Sequence, residues 1–329
     1  MSNSSRPLDS DISGRIRPLI FDRSDGQELR INTVNTYLKK KFGTKMVKLS
    51  IDGGFTCPNR DGTKGTGGCL FCSSSGSGDT AAGTGNITAD LNTQIELMSA
   101  KWPNAGYIAY FQSHTNTYAP VDELRRKFYA ALNHPAVKGI AIATRPDCLS
   151  EEVIDLLDEL NRNTFMWLEL GLQTIHKSTA EQMNLCYTVK DYDNAVERLH
   201  RRGIPAVTHL ILGLPGETRE MMLDSVRHVC RSNIFGIKLH MLNLVKGSPM
   251  ELLYPEYVSF GSIEEYIDLV IAALEIIPPD VTVHRISGDA PRSTLIAPEW
   301  SYRKRTILNG IHHAMRERNT WQGKKWQER

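Results

Sequence analysis

Residues 46–52 read MVKLSID and run straight into GGFTCPNRDGTKGTGGCLFCSSSGSG, residues 53–78. The first segment mixes apolar and β-branched side chains with polar ones at strand spacing. The second is too rich in glycine for a helix or a strand, and it carries Cys57, Cys69 and Cys72 as C-x11-C-x2-C. Glycines 62, 65, 67 and 68 let the loop curl until three thiolates converge. A strand that empties into a chemically loaded loop is how α/β barrels place their sites, because catalytic loops follow the ends of parallel strands.

Three soft ligands without a clear fourth suit a [4Fe–4S] cluster that leaves one iron open. The competing reading is a structural zinc ion with His114 as fourth ligand. Against it, neither a second C-x2-C knuckle nor a spaced histidine pair occurs. Cys148, Cys186 and Cys230 stand alone in or beside helical stretches and read as small core hydrophobes. Six cysteines are too few for a disulfide scaffold, so a reducing cytoplasm is expected.

Outward from the loop the pattern alternates. Strand-like runs recur at YIAYF (107–111), GIAIAT (139–144), MWLELGL (166–172), AVTHLILGL (206–214) and GIKLHMLNLV (236–245). Helical patterns separate them, among them VDELRRKFYAAL, SEEVIDLLDELN and REMMLDSVRHVC, several with an N-cap such as Ser150. Counting 46–52, six strands joined by helices predict βα units and a parallel sheet. Six units fall short of a closed eight-stranded barrel. The expected fold is therefore α/β, a partial (βα)6 barrel over residues 30–250. Residues 1–29 read as a mobile arm. Residues 251–329 read as a small α/β extension on the substrate side: a helix (262–278), a short strand VTVHRI (281–286) and a basic C-terminal helix.

Of 329 residues, 40% are hydrophobic and 23% charged, which excludes a disordered chain. No apolar run approaches the roughly 18 residues of a membrane span. The N-terminal residues lack the apolar stretch of a signal peptide. A cytoplasmic protein without a membrane partner is expected. The formal net charge of +2 hides an asymmetry: residues 301–329 hold eight Lys and Arg against two Glu, leaving the rest at −4.

With Cys69-Leu70-Phe71-Cys72 following the first strand of a six-unit barrel, the chain resembles the radical S-adenosylmethionine (radical SAM) enzymes. The long cysteine spacing departs from their commonest C-x3-C-x2-C form. It is similar to that of the branch holding the Elongator catalytic subunit and the bacterial YhcC/YtqA-like proteins. The blocks CPNRDGTKGTGGCLFC, YFQSHTNTYAP (110–120), ATRPDCL (143–149), LELGLQT (168–174), HLILGLPGET (209–218), GIKLHMLNLVKGSPM (236–250) and HRISGDAP (284–291) all resemble that bacterial group's, in its order. One block departs: Asn184-Leu185-Cys186-Tyr187 stands where relatives commonly show Asn-Arg-small-His.

The resemblance implies iron ligation by Cys57, Cys69 and Cys72, with S-adenosylmethionine (SAM) chelated to the open iron. An electron from a donor such as flavodoxin or ferredoxin would then yield a 5′-deoxyadenosyl radical that abstracts a substrate hydrogen. The backbone around Phe71 is expected to border the adenine, as is the LILGLPGE segment with Leu212 and Gly213. Gln112, Ser113 and Thr115 are candidates for the methionine amine, and Glu169 and Gln173 for other SAM contacts. A buried Glu169 needs a partner; the alternatives are ribose or sulfonium contact, or a salt bridge to Arg145.

Arg145, His240, Lys246, His284, Arg285 and Asp289 are expected on the substrate side. The resemblance points to tRNA as partner and to the wobble uridine, from which a carboxymethylaminomethyl group would lose its carboxymethyl end. Arg303, Lys304 and Arg305, interleaved with Trp300, Tyr302, Trp321 and Trp326, suit phosphate contacts and base stacking. Two alternatives stand beside this: radical chemistry on a small molecule such as a porphyrin precursor, and a zinc-binding adaptor.

Overall fold

The computed structural model describes residues 29–73, 76, 83–288 and 290–327. Residues 1–28 of the expected arm, and Asp289, fall outside them. Helix α1 (Val34–Phe42) starts where the Thr33 side chain accepts from the Thr36 amide. It stops at Gly43, whose φ of 72° costs glycine nothing. Strand β1 (Met46–Ile51) follows, and then α2 (Ile87–Ser99), β2 (Gly106–Phe111), α3 (Val121–Leu132), β3 (Val137–Thr144), α4 (Glu151–Asn163) and β4 (Phe165–Gln173). Two helices, α5 (Lys177–Gln182) and α6 (Val189–Arg201), lead to β5 (Ala206–Leu212), α7 (Arg219–Cys230) and β6 (Gly236–Met241). The chain ends through β7 (Leu244–Val245), α8 (Pro249–Leu253), α9 (Ile263–Ile276), β8 (Thr282–Arg285), β9 (Leu295–Ala297) and α10 (Lys304–Glu317).

The six expected strands stand side by side in chain order, all parallel, in a sheet of order β1-β2-β3-β4-β5-β6-β8. The difference from expectation lies at the far edge. The short strand placed in the extension joins the sheet as its seventh member, pairing Gly236 with Thr282 and Lys238 with Arg285. It covers the backbone of β6, which would otherwise be an open edge.

Alternation sorts the side chains of these strands into two sets. Leu49, Phe111, Ile142, Leu168, Leu210 and Leu239 face outward into the core shared with the helices. Met46, Ile108, Ala141, Trp167 and Val207 face inward, where Val34 and Leu38 of α1 plug the lower end of the lumen. The sheet is strongly curled: the Tyr110 hydroxyl on β2 lies 3.0 Å from the Lys238 Nζ on β6. In a flat sheet, strands four apart would be separated by about 19 Å.

The C-terminal region is docked rather than splayed. Helix α10 buries Ile307, Ile311 and Met315 and packs along α9. Residues near the two ends of the described chain also meet, with the Gln322 amide donating to the Arg30 carbonyl at 3.0 Å. The aromatic residues expected to stack on bases mostly serve this docking. Trp321 is 5% exposed, and Trp300 and Trp326 pack against the core. Tyr302, 38% exposed, is the one large aromatic side chain of that set left open. The interleaving of aromatic and basic residues is thus largely the alternation that buries one face of an amphipathic C-terminal segment.

Candidate active site

The lumen is layered. Above the apolar plug lies a charged layer. There the Glu169 carboxylate, fully buried, accepts from the Tyr110 hydroxyl at 2.6 Å, the Trp167 indole at 2.8 Å and the His209 imidazole at 2.9 Å. It also pairs with Lys238, and Lys48 stands 4.0 Å away. Burial pushes this carboxyl up. The Lys238 and Lys48 ammonium groups and the His209 hydrogen bond outweigh it and hold Glu169 well below the usual carboxylate range. Five side chains from five strands thus answer the question of its partner, and Arg145 is not among them.

Burial also pushes the His209 imidazole down to about 4 and holds His240 and His284 well below the ordinary histidine range. All three are neutral in the fold and protonate in the unfolded chain below about pH 6.5. Acid therefore favours unfolding, and stability is lost as the pH falls from about 6.5 toward 4. At pH 5.5 the three together should cost about 4 kcal/mol relative to pH 7.5. Thermal unfolding at the two values checks this. His284→Gln should remove about a third of the acid sensitivity, and equal melting temperatures at both values would count against it.

Above the charged layer opens a cavity of about 270 Å³. Cys57, Cys69, Cys72 and Phe71 line one side, with Gln112, Thr115, Arg145, Gln173 and Tyr187 around the middle and His240, Asn243 and Arg285 at the other side. The cysteine loop is pinned from several directions. Gly68 sits at φ 79°, a conformation that strains an L side chain, and a Cβ there would also displace the Arg60 side chain, whose Nε would stand 2.9 Å away. The Asn184 side chain donates to the Gly68 carbonyl at 2.8 Å, and the Leu70 amide donates to the Met183 carbonyl at 3.1 Å. The departing block Asn184–Tyr187 therefore buttresses the cysteine loop.

Each cysteine sulfur has an N–H donor beside it. The Asn59 amide donates to Cys69 at 3.5 Å, Arg145 approaches Cys57 at 3.7 Å, and Arg60 hydrogen-bonds Cys72. Hydrogen bonds and positive charge at the sulfurs are what stabilise a reduced iron–sulfur cluster. Among the described residues, no three His, Cys, Asp or Glu side chains gather as a site for one metal ion. The three thiols share one cavity wall, with Cys69 and Cys72 in mutual hydrogen-bond contact.

Several expected residues sit elsewhere. Arg145 forks onto Asp147, at 2.9 and 2.8 Å, and covers the Tyr187 ring at 5.0 Å. It thus belongs to the cysteine end of the cavity. Strand alternation turns Leu212 into the outer core, and Gly213 lies under Ser259 and Phe260; Ile211 is the residue of that segment that lines the cavity. Ser113 is buried behind the wall, its hydroxyl without a partner. His284 lies lower in the lumen against Trp167, its Nε2 2.9 Å from the Thr282 hydroxyl. Lys246 is exposed on the turn after β7. Cys148 and Cys186, read as core residues, are half-buried beside the site. The Cys186 thiol donates to Asn59 at 2.8 Å, and the Cys148 thiol lies 3.7 Å from Asp147. Cys230 is buried as expected.

The sequence matches the Radical SAM superfamily over residues 60–229 and the Radical SAM C-terminal domain over residues 234–317. The chain belongs to the radical SAM superfamily. It is an enzyme, and its cofactors are those of this family, a [4Fe–4S] cluster and SAM. It is 47% identical over 305 residues to YtqA of Bacillus subtilis, covering 91% of this chain and 94% of that one. With YhcC of Escherichia coli the identity is 39% over 274 residues, 82% and 87% of the two chains. A more distant relative, the tRNA uridine(34) acetyltransferase of Methanocaldococcus jannaschii, shares 27% over 179 residues, 53% of this chain and 32% of its own. The fold is similar to that of archaeal Elp3 from Methanocaldococcus infernus, with a TM-score of 0.64 at 17% identity over 84% of this chain and 64% of that one. This radical SAM chain thus sits in the YhcC/YtqA-like group, related to the Elongator catalytic subunit.

Proposed function

We propose that this radical SAM enzyme modifies the wobble uridine of tRNA, removing the carboxymethyl end of a carboxymethylaminomethyl group: the N–CH2 carbon is oxidised by two electrons with SAM as the net oxidant, and water splits the resulting iminium into the aminomethyl group and glyoxylate. In this reading Cys57, Cys69 and Cys72 hold the cluster, and Phe71, Gln112, Thr115 and Gln173 surround SAM. The cluster and SAM, when bound, supply the radical that takes a hydrogen atom. The chain's own task is to orient the substrate carbon and to shield the radical from bulk water in a buried lumen. A flavodoxin- or ferredoxin-like protein is the proposed electron donor.

The observation that carries the tRNA reading is the continuity between the cavity and a basic rim. Arg285, which lines the cavity, acts electrostatically on Lys304, the first residue of α10. Beside them Arg292 and Arg303 stand over the open Tyr302 ring at 4.6 and 5.8 Å. Arg303, Lys304 and Arg305 are all exposed. Other tail cations are engaged in docking, Arg318 with Asp268 and Lys325 with Glu275. The kinship with a tRNA uridine(34) enzyme supports the same partner.

The test is anaerobic reconstitution with SAM, reductant and bulk tRNA, followed by nucleoside mass spectrometry. 5′-Deoxyadenosine formation should rise with tRNA, and aminomethyluridine should appear. Neutralising Arg303, Lys304 and Arg305 together should lower the logarithmic salt slope of tRNA binding by about 2 to 3 and leave the cluster spectrum unchanged. Turnover indifferent to tRNA, with no altered uridine, would instead favour a small-molecule substrate.

A further inference from the structure

The β6–β8 wall of the cavity holds two polar atoms that have no hydrogen-bond partner among the described residues. His240 Nε2 and Asn243 Oδ1 are both buried without a hydrogen-bond partner, and both residues line the cavity. A buried polar atom without a partner costs about 1–3 kcal/mol, so a pair on one wall points to a ligand that completes it. The sheet order sets where that ligand sits. The cysteine loop follows β1 at one end of the curled sheet, whereas His240 lies on β6 and Arg285 on β8 at the other. The ligand of this wall thus sits at the β6–β8 end of the sheet order.

Its charge follows from the surroundings. Lys238 and Arg285 line this end, and Glu169 is the one carboxylate among the described lining residues. Burial first, and then the fields of Arg285, His209 and Lys238, keep His240 neutral, and the opposing pull of Glu169 does not overcome them. A neutral imidazole presents one N–H and a guanidinium five, a donor-rich pair in a positive field, whereas the unpaired Asn243 Oδ1 is an acceptor that needs a donor from the ligand. A carboxylate beside a protonated amine matches it: the carboxylate oxygens accept from the imidazole and from the guanidinium fork, and the amine N–H donates to Asn243 Oδ1.

We propose that His240 and Arg285 form a carboxylate-binding subsite, with Asn243 accepting from the neighbouring amine, that takes the anionic end of the substrate. This rests on the tRNA reading above, in which the group to be removed ends in a carboxylate. The carboxylate would anchor the modified side chain at the β6–β8 wall and leave its methylene carbons toward the cysteine end.

The probe is an anticodon stem-loop carrying, on its wobble uridine, either the free carboxymethylaminomethyl group or its methyl ester, which has nearly the same shape without the charge. Binding is measured by fluorescence anisotropy on the cluster-loaded, unreduced enzyme with SAM, so that no turnover occurs. The wild type should prefer the acid by about 10-fold or more, the value of one hydrogen bond to a charged group. Arg285→Gln should bring that preference close to one, Arg285→Lys should retain part of it, and His240→Phe should reduce it several-fold. A wild type indifferent to the ester, or an acid preference intact in Arg285→Gln, overturns the assignment. Equal loss of acid and ester in Arg285→Gln overturns it in favour of a phosphate contact. Weakened SAM binding with the preference intact overturns it in favour of a cofactor contact. Should the wild type bind neither stem-loop, the tRNA reading itself fails and the subsite falls with it.

Discussion

Cys69→Ala is expected to abolish iron–sulfur cluster binding and bring SAM cleavage to background, with the fold retained. Cys57→Ala and Cys72→Ala should behave alike. A cluster whose three protein ligands come from one loop has no substitute ligand when one sulfur is removed. The three thiols share one cavity wall, and the loop around them is held by Asn59, Asn184 and the Met183 carbonyl. Those contacts do not depend on the cluster, so the apo variants should melt close to the apo wild type.

The discriminating part of the set is the other three cysteines. Cys148 and Cys186 lie beside the loop without lining the cavity, and Cys230 is buried on α7. Alanine at each should leave iron, sulfide and visible absorbance at wild-type levels after reconstitution. Cys186→Ala frees the Asn59 carbonyl from its thiol donor and so disturbs the amide that faces Cys69. A shift in the cluster's electron paramagnetic resonance signal with full iron content is the expected result there. Loss of iron in Cys148→Ala or Cys186→Ala, with iron kept in Cys57→Ala, would sink the ligand assignment.

The strands were legible because burial on both faces leaves continuous apolar runs such as YIAYF and GIAIAT, and the helices between carry their own caps. The cysteine loop was legible because its residue types admit few other uses. Cross-lumen contacts were not. Glu169 was recognisable as a carboxylate in need of a partner, but its partners sit on β2, β5 and β6. Which strands face one another depends on how far the sheet curls, and no local pattern encodes that. Arg145, on the neighbouring strand, was the natural guess from adjacency. It failed because Asp147, two residues on, captures the guanidinium in a two-point fork. The tail misled for a related reason. Tryptophans among basic residues look the same whether they stack on bases or, like Trp321, seal a helix onto its neighbours. Burial alone separates the two cases.

The charged layer carries the second large effect. Lys238→Met should destabilise the protein by about 3 kcal/mol or more, because removing one partner strands a buried charge. The lower end of the usual range applies, since Tyr110, Trp167 and His209 still donate to Glu169 and Lys48 stands 4.0 Å away. The sign of its pH dependence is specific. With Lys238 present the Glu169 carboxyl lies well below its usual range. Without that ammonium, burial, which pushes the carboxyl up, meets less opposition. A carboxyl whose folded pKa has risen above its unfolded one takes up a proton in the fold as the pH falls, and that relieves the stranded charge. The deficit of Lys238→Met relative to wild type should therefore shrink between pH 7.5 and pH 5.5. The field of Lys238 also lowers His209, His240 and His284, so its loss eases their protonation in the fold and shrinks the deficit in the same direction. Adding Glu169→Gln removes the charge altogether, so the double variant should be more stable than Lys238→Met alone, with a coupling of about 1–3 kcal/mol. Urea unfolding of the wild type, the two single variants and the double variant at both pH values measures every one of these differences. A Lys238→Met protein within about 1 kcal/mol of wild type at pH 7.5 would mean that Lys48 and His209 alone neutralise Glu169. Lys238 would then have to be held in the lumen for what it offers a ligand.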